Sequence, residues 1–149
     1  MAITAAMSIP PKVPWIECLF VQSGLGVLGL KSGKVAVPSD RPLTVGRPTR
    51  CDIRIVCGDE VLANDDYCVV VGSRFGGLFK SRKIMLHHRG SGHALHVVRT
   101  DRAGARAAGS LSLDGGEVDG LEVELRHLDC IELLGVNGEL AFRFRLHKP

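Results

Sequence analysis

The sequence predicts an all-β fold: a β-sandwich of two antiparallel sheets made of about 10–12 short strands. Three observations predict it. Apolar runs are short, rich in Val, Ile and Leu, and separated by turns containing Gly, Pro or Asp. The 149 residues include 18 Gly, the residue that tight turns favour because it accepts backbone angles that others resist. Helical periodicity is weak throughout. Its best stretch, residues 102–108, is interrupted by Gly104 and closed by Gly109, so a loop is predicted there.

The strands follow in order. Residues 15–21 form a β-rich run that ends at the turn Ser23, Gly24, Leu25, Gly26. Residues 34–37 close at Pro38, Ser39 and Asp40, and residues 43–45 lead into Gly46, Arg47 and Pro48. In residues 52–55 the alternation puts Ile53 and Ile55 on one face and Asp52 and Arg54 on the other. Residues 67–71 read as a buried strand; residues 78–79, 84–87 and 94–98 are further strand segments. Residues 140–146 alternate most clearly, with Leu140, Phe142, Phe144 and Leu146 inward and Arg143 and Arg145 outward. These runs predict one domain over residues 14–149, preceded by a disordered lead-in of residues 1–13.

Composition narrows the function classes. Hydrophobic residues are 45% and charged residues 23%, an ordinary globular balance. The net charge of +3, without a dense basic stripe, does not predict direct nucleic-acid binding. Five Cys without CxxC spacing, mostly within apolar strand patterns, are expected to be buried free thiols. Met1 to Pro14 lacks a positively charged start followed by an apolar run, and no run reaches transmembrane length. An intracellular, soluble protein with no membrane contact is expected.

Catalytic and metal signatures fail on spacing. Gly33 and Lys34 resemble part of a phosphate-binding loop, but Leu28 stands where its first Gly is required and Val35 where Ser or Thr is required. No GxSxG segment or spaced Cys–His pair is present, so no enzyme and no cofactor are expected. His87, His88, His93 and His96 are close in sequence, yet strand alternation scatters them over opposite faces, which speaks against a shared zinc.

The order of several motifs carries more. Gly46 and Arg47 come first, then Cys51, Asp52 and Ile53, then a Ser/Arg/His-containing middle, then residues 114–120 and residues 125–135. This series resembles the forkhead-associated (FHA) family pattern: Gly-Arg, Cys-Asp-Ile, Ser-Arg-x-His, Asn-Gly-Thr-x-Val-Asn-Gly, Leu-x-x-Gly-Asp-x-Ile-x-Leu-Gly. The likeness spans residues 15–146. Leu128 replaces the Gly of the last motif. Two registers compete in the middle: Ser81, Arg82 and Lys83 keep Ser and Arg but lose His, whereas Ser91 and His93 sit in a segment that keeps His-Ala. Either register leaves an insertion within about residues 56–90. Asp114 and Asp119 occupy the two Asn positions, with an offset alignment through Gly109 and Ser110 also open.

The resemblance implies a protein-interaction module that binds a phosphothreonine-containing partner through tip loops. Phosphate carries nearly two negative charges and three acceptor oxygens, so it needs charge-assisted donors. Arg47 is the main candidate because a guanidinium forks onto two oxygens. A hydroxyl from Ser81 or Ser91 and charge from Arg82 or Lys83 would assist, His93 would hold loops, and Asp114 and Asp119 would hold the peptide main chain. The Asn-to-Asp changes and the degraded middle motif favour an alternative, an FHA-like scaffold that binds a protein partner without phosphate. Family analogy extends the expected setting to the nucleus and to signalling.

Overall fold

Short apolar runs separated by turns cannot bury their apolar faces alone, so they must stack as sheets. The structure, a computed structural model, describes residues 13–38, 40–72, 83–89, 93–99, 111–113, 116–117 and 122–149. It forms thirteen strands in chain order. They are β1 (Trp15–Val21), β2 (Gly26–Leu28), β3 (Lys34–Ala36), β4 (Leu43–Gly46), β5 (Ile53–Val56), β6 (Asp66–Gly72) and β7 (Ile84–His88), followed by β8 (Leu95–Val98), β9 (Leu111–Leu113), β10 (Gly116–Glu117), β11 (Glu122–Leu125), β12 (Cys130–Leu134) and β13 (Leu140–His147).

They form a β-sandwich. The first sheet runs β10-β9-β8-β12-β13-β1-β3 and the second β11-β7-β6-β4-β5-β2. The expectation of wholly antiparallel sheets needs correction, because β4 pairs with β5 and β8 with β9 in parallel. The β4–β5 contact covers only Val45↔Ile53 and Gly46↔Arg54. Parallel neighbours ordinarily need a long crossover, and here the chain returns in six residues, 47–52. That compression makes the loop tight and fixes where Arg47 starts. β6 and β7 fall within the stretch expected to hold inserted sequence, yet they are inner strands of the second sheet.

Alternation explains the core. Ile53 and Ile55 are buried while Asp52 and Arg54 are half-buried. In β13, Phe142, Phe144 and Leu146 are buried and pack with Ile16, Ile131 and Leu133, while Arg143 and Arg145 lie on the other face. β8 and β12 are buried on both faces, and their non-core face carries a polar layer. There Glu132 receives Arg143 Nε at 2.7 Å and lies 3.4 Å from His96 Nδ1. The first and last strands meet where β1 pairs with β13: Trp15 stacks on His147 at 3.8 Å with rings nearly parallel, and Lys34 Nζ sits 4.6 Å over the indole.

All five Cys are free. Burial pushes the Cys68 thiol up to about 12. Burial, together with the hydrogen bond to Asp66, takes Cys51 to about 12. Both therefore remain un-ionised at neutral pH. Among the described residues, no helix is long and apolar enough to cross a membrane.

Because Phe144 is fully enclosed, at 1% exposure, Phe144→Ala is expected to cost about 3–5 kcal/mol. Urea unfolding monitored by circular dichroism should show a lower midpoint with an unchanged slope.

Candidate functional site

Several connections meet at one end of the sandwich, and the β4–β5 loop organises those around Arg47. The β4–β5 loop begins at Gly46, where an added Cβ would come within 2.6 Å of the Asp65 carbonyl oxygen and 2.7 Å of Asp66 Cα. Only Gly lets the backbones approach this closely. A turn follows, with Cys51 N donating to Pro48 O at 3.1 Å. Asp52 then closes the loop. It accepts from Thr44 N at 3.0 Å and from Arg41 Nη1 at 2.8 Å, while its own N donates to Thr44 Oγ1 at 3.0 Å. Burial raises the Asp52 carboxyl, but the Arg41 and Thr44 hydrogen bonds outweigh it and hold the group below the usual carboxylate range.

The loop grips the β5–β6 connection across several bonds. Arg47 N donates to Asp65 O at 3.1 Å. Cys51 Sγ lies 3.1 Å from Asp66 Oδ1, and Arg50 Nη2 donates to Asp66 Oδ2 at 3.0 Å. Burial pushes Asp66 up; the Cys51 and Arg50 bonds more than compensate and keep it below its ordinary value.

Arg47 and His93 converge on a single peptide unit. Arg47 Nη1 donates to Leu62 O at 2.7 Å, and His93 Nε2 accepts from Ala63 N at 3.1 Å. These two atoms belong to the same peptide bond, which is trans. Its oxygen and hydrogen therefore point in opposite directions, and the two side chains approach from opposite sides. Leu62 is fully buried, and Tyr67 Oη donates to Ala63 O while its ring meets His93 edge-on at 5.3 Å. The β12–β13 turn joins the same end through Val136 N, which donates to Val61 O at 2.9 Å.

Arg47 has a second partner. Nη1 also lies 2.7 Å from Asp59 Oδ1; the Arg47 side chain is 15% exposed and that of Asp59 is 88% exposed. Beside the pair lies a cleft of about 410 Å³, lined by Arg47, Pro48 and Thr49, by residues 54–57, and by Asn64. Arg54 flanks the cleft with its Nε donating to Arg47 O at 3.3 Å. Guanidinium, hydroxyl and amide residues thus border one opening at a sheet end.

The sequence candidates sort as follows. Arg47 lines the cleft, and His93, 3% exposed, holds the loop from behind it. Lys83 precedes β7 at the opposite end of the sheet: Ile84 pairs with Gly72, whereas Arg47 follows Gly46, which pairs with Asp66. About six strand residues, roughly 20 Å, separate those ends. Ser81, Arg82, Ser91, Asp114 and Asp119 lie outside the described residues, as does the strand segment expected at residues 78–79. Asp59, Asn64, Thr49 and Arg54 were not among the candidates. Only Gly58 followed by Asp59 and Glu60, a turn composition ahead of a strand, could have marked the loop.

The four clustered His have separate partners. His87 Nδ1 lies 3.0 Å from Glu122, His88 Nδ1 lies 3.1 Å from Tyr67 O, His93 serves Ala63, and His96 faces Glu132. Among the described residues, no three His, Cys, Asp or Glu gather as a metal would require. No protein-family model matches the chain, and no curated protein matches it.

Burial pushes His93 below the ordinary imidazole value, and the backbone at Leu134 and the Asp65 carboxylate only partly oppose it. The unfolded chain thus takes up this proton first as pH falls. The stability contributed by neutral His93 is complete above about pH 6.5 and is lost as pH drops from there through the folded-state value. His93→Gln should cost about 1–3 kcal/mol at pH 7.5. Its deficit relative to the parent should shrink below pH 6.5, as read from denaturant unfolding at a series of pH values.

Proposed function

We propose that this protein is a binding module that takes a phosphothreonine-containing segment of a partner protein in the cleft beside Arg47. The observation that carries the reading is the pairing of Arg47 and Arg54 on one cleft whose lining also includes Thr49 and Asn64. Two guanidinium groups match the charge of a phosphate, and hydroxyl or amide donors can satisfy its remaining oxygens. Stiffness supports the reading further. The cleft is bounded by loops tied to strands through Asp52, Asp66 and the Leu62–Ala63 peptide, so little ordering is left for binding to impose. The motif series resembling the FHA family, present on a β-sandwich, points the same way, toward a non-enzymatic role in intracellular signalling.

A second reading rests on a specific observation. Arg47 is already satisfied by Leu62 O and Asp59, which suits a scaffold whose arginine serves the loop and whose partner binds without phosphate.

The two readings separate in solution. Under the first, a phosphothreonine peptide pool binds at roughly micromolar strength, about −8 kcal/mol, and Arg47→Ala or Arg54→Ala weakens it about tenfold or more. Fluorescence anisotropy with matched phosphorylated and unphosphorylated pools measures this. Equal retention of both pools rejects phosphate recognition and leaves the scaffold reading.

A further inference from the structure

The Arg47–Asp59 pair joins unequal environments. The cation is largely enclosed and anchored at Leu62 O, while the carboxylate is almost wholly in water. With its carboxylate screened by water, such a half-exposed pair contributes only modestly to stability. Asp59 therefore occupies, at small cost to displace, the place beside Arg47 that an incoming anion would take. Phosphate outbids a single carboxylate at such a place, since it carries nearly twice the charge and one more acceptor oxygen.

Displacement leaves Asp59 without Arg47 but still tethered two residues beyond Cys57, which lines the cleft. Exposed Glu60 follows it, and Arg50, the exposed cation of the neighbouring loop, is engaged by Asp66. The displaced carboxylate is thus a negative group within reach of whatever flanks the phosphate. A residue extends a peptide by at most about 3.6 Å, so the first two residues on either side of the phosphothreonine are the ones concerned.

Resting on the phosphate reading above, we infer that Asp59 exchanges partners on binding, ceding Arg47 to the phosphate and pairing with a Lys or Arg within two residues of the phosphothreonine. The partner class is then a phosphothreonine segment with a basic flank. The chain's overall charge of +3 would by itself favour acidic flanks, so a basic preference is diagnostic of local pairing.

The test uses the full chain and its Asp59→Asn variant, whose exposed site should leave the melting temperature unchanged. Three phosphothreonine peptides differ only in flanks of Lys, Ala or Glu, and an unphosphorylated Lys-flanked peptide serves as control. In anisotropy titrations, the parent is expected to bind the Lys-flanked phosphopeptide about five- to tenfold tighter than the Ala-flanked one. Asp59→Asn should bind the Ala-flanked peptide about threefold tighter than the parent does, its competitor gone. Its flank preference should fall below about twofold. Equal binding of Lys- and Ala-flanked phosphopeptides by the parent, or an undiminished preference in Asp59→Asn, overturns the exchange and leaves phosphate recognition standing. Failure of every phosphopeptide to bind above the unphosphorylated control overturns both.

Discussion

The tip of this sandwich depends on the peptide unit between Leu62 and Ala63. Arg47 takes its oxygen and His93 its hydrogen, from opposite sides. Leu62, fully buried, sinks the same segment into the core. A hydrogen bond to a charged donor contributes about 1.5–3 kcal/mol, and here it does positional work as well. The β4–β5 loop, through Arg47, and the segment just ahead of β8, through His93, are set against this one rigid plane of the β5–β6 connection, and the β12–β13 turn is tied beside it through Val61 O. The cleft therefore has walls of fixed spacing.

Electrostatics at that end is organised in tiers. Asp52 and Asp66 are partly or largely buried, and each is answered by an arginine plus a shorter donor, Thr44 for one and Cys51 for the other. These carboxylates belong to the architecture. Asp59 differs because its side chain stands in solvent, paired with Arg47. The same amino acid thus stands as a fixed strut at two positions and as a solvent-exposed counter-ion at a third, and burial makes the difference.

Strands with one wet face were legible in the sequence. β1 matched its expected limits, and β5 and β13 from Phe142 onward showed the inward and outward sets that their alternation implied, since a period of two is visible only where the faces differ; Leu140, expected inward, is half-buried, and Ala141 takes the core place at that end of β13. β12 has no wet face and its pattern carries no alternation. β2 sits in what read as a turn and continuation, three residues long and glycine-led. The parallel pairings were illegible because direction is set by where the chain re-enters the sheet, which periodicity does not encode. At the candidate site, Arg47 and His93 stood out by motif, while their common target did not: the contacts span 15 and 30 residues, and loop residues such as Asp59 and Asn64 follow no repeat.

The ring stack between the first and last strands carries a practical consequence. Trp15 is the one tryptophan in the sequence, and its indole lies face to face with His147 at the far end of the partnered strand. Indole emission is sensitive to an imidazole in van der Waals contact. The first and last strands thus form a zipper with an intrinsic optical probe at its seam, so that light emitted from a single ring registers whether the two termini of the fold are fastened together.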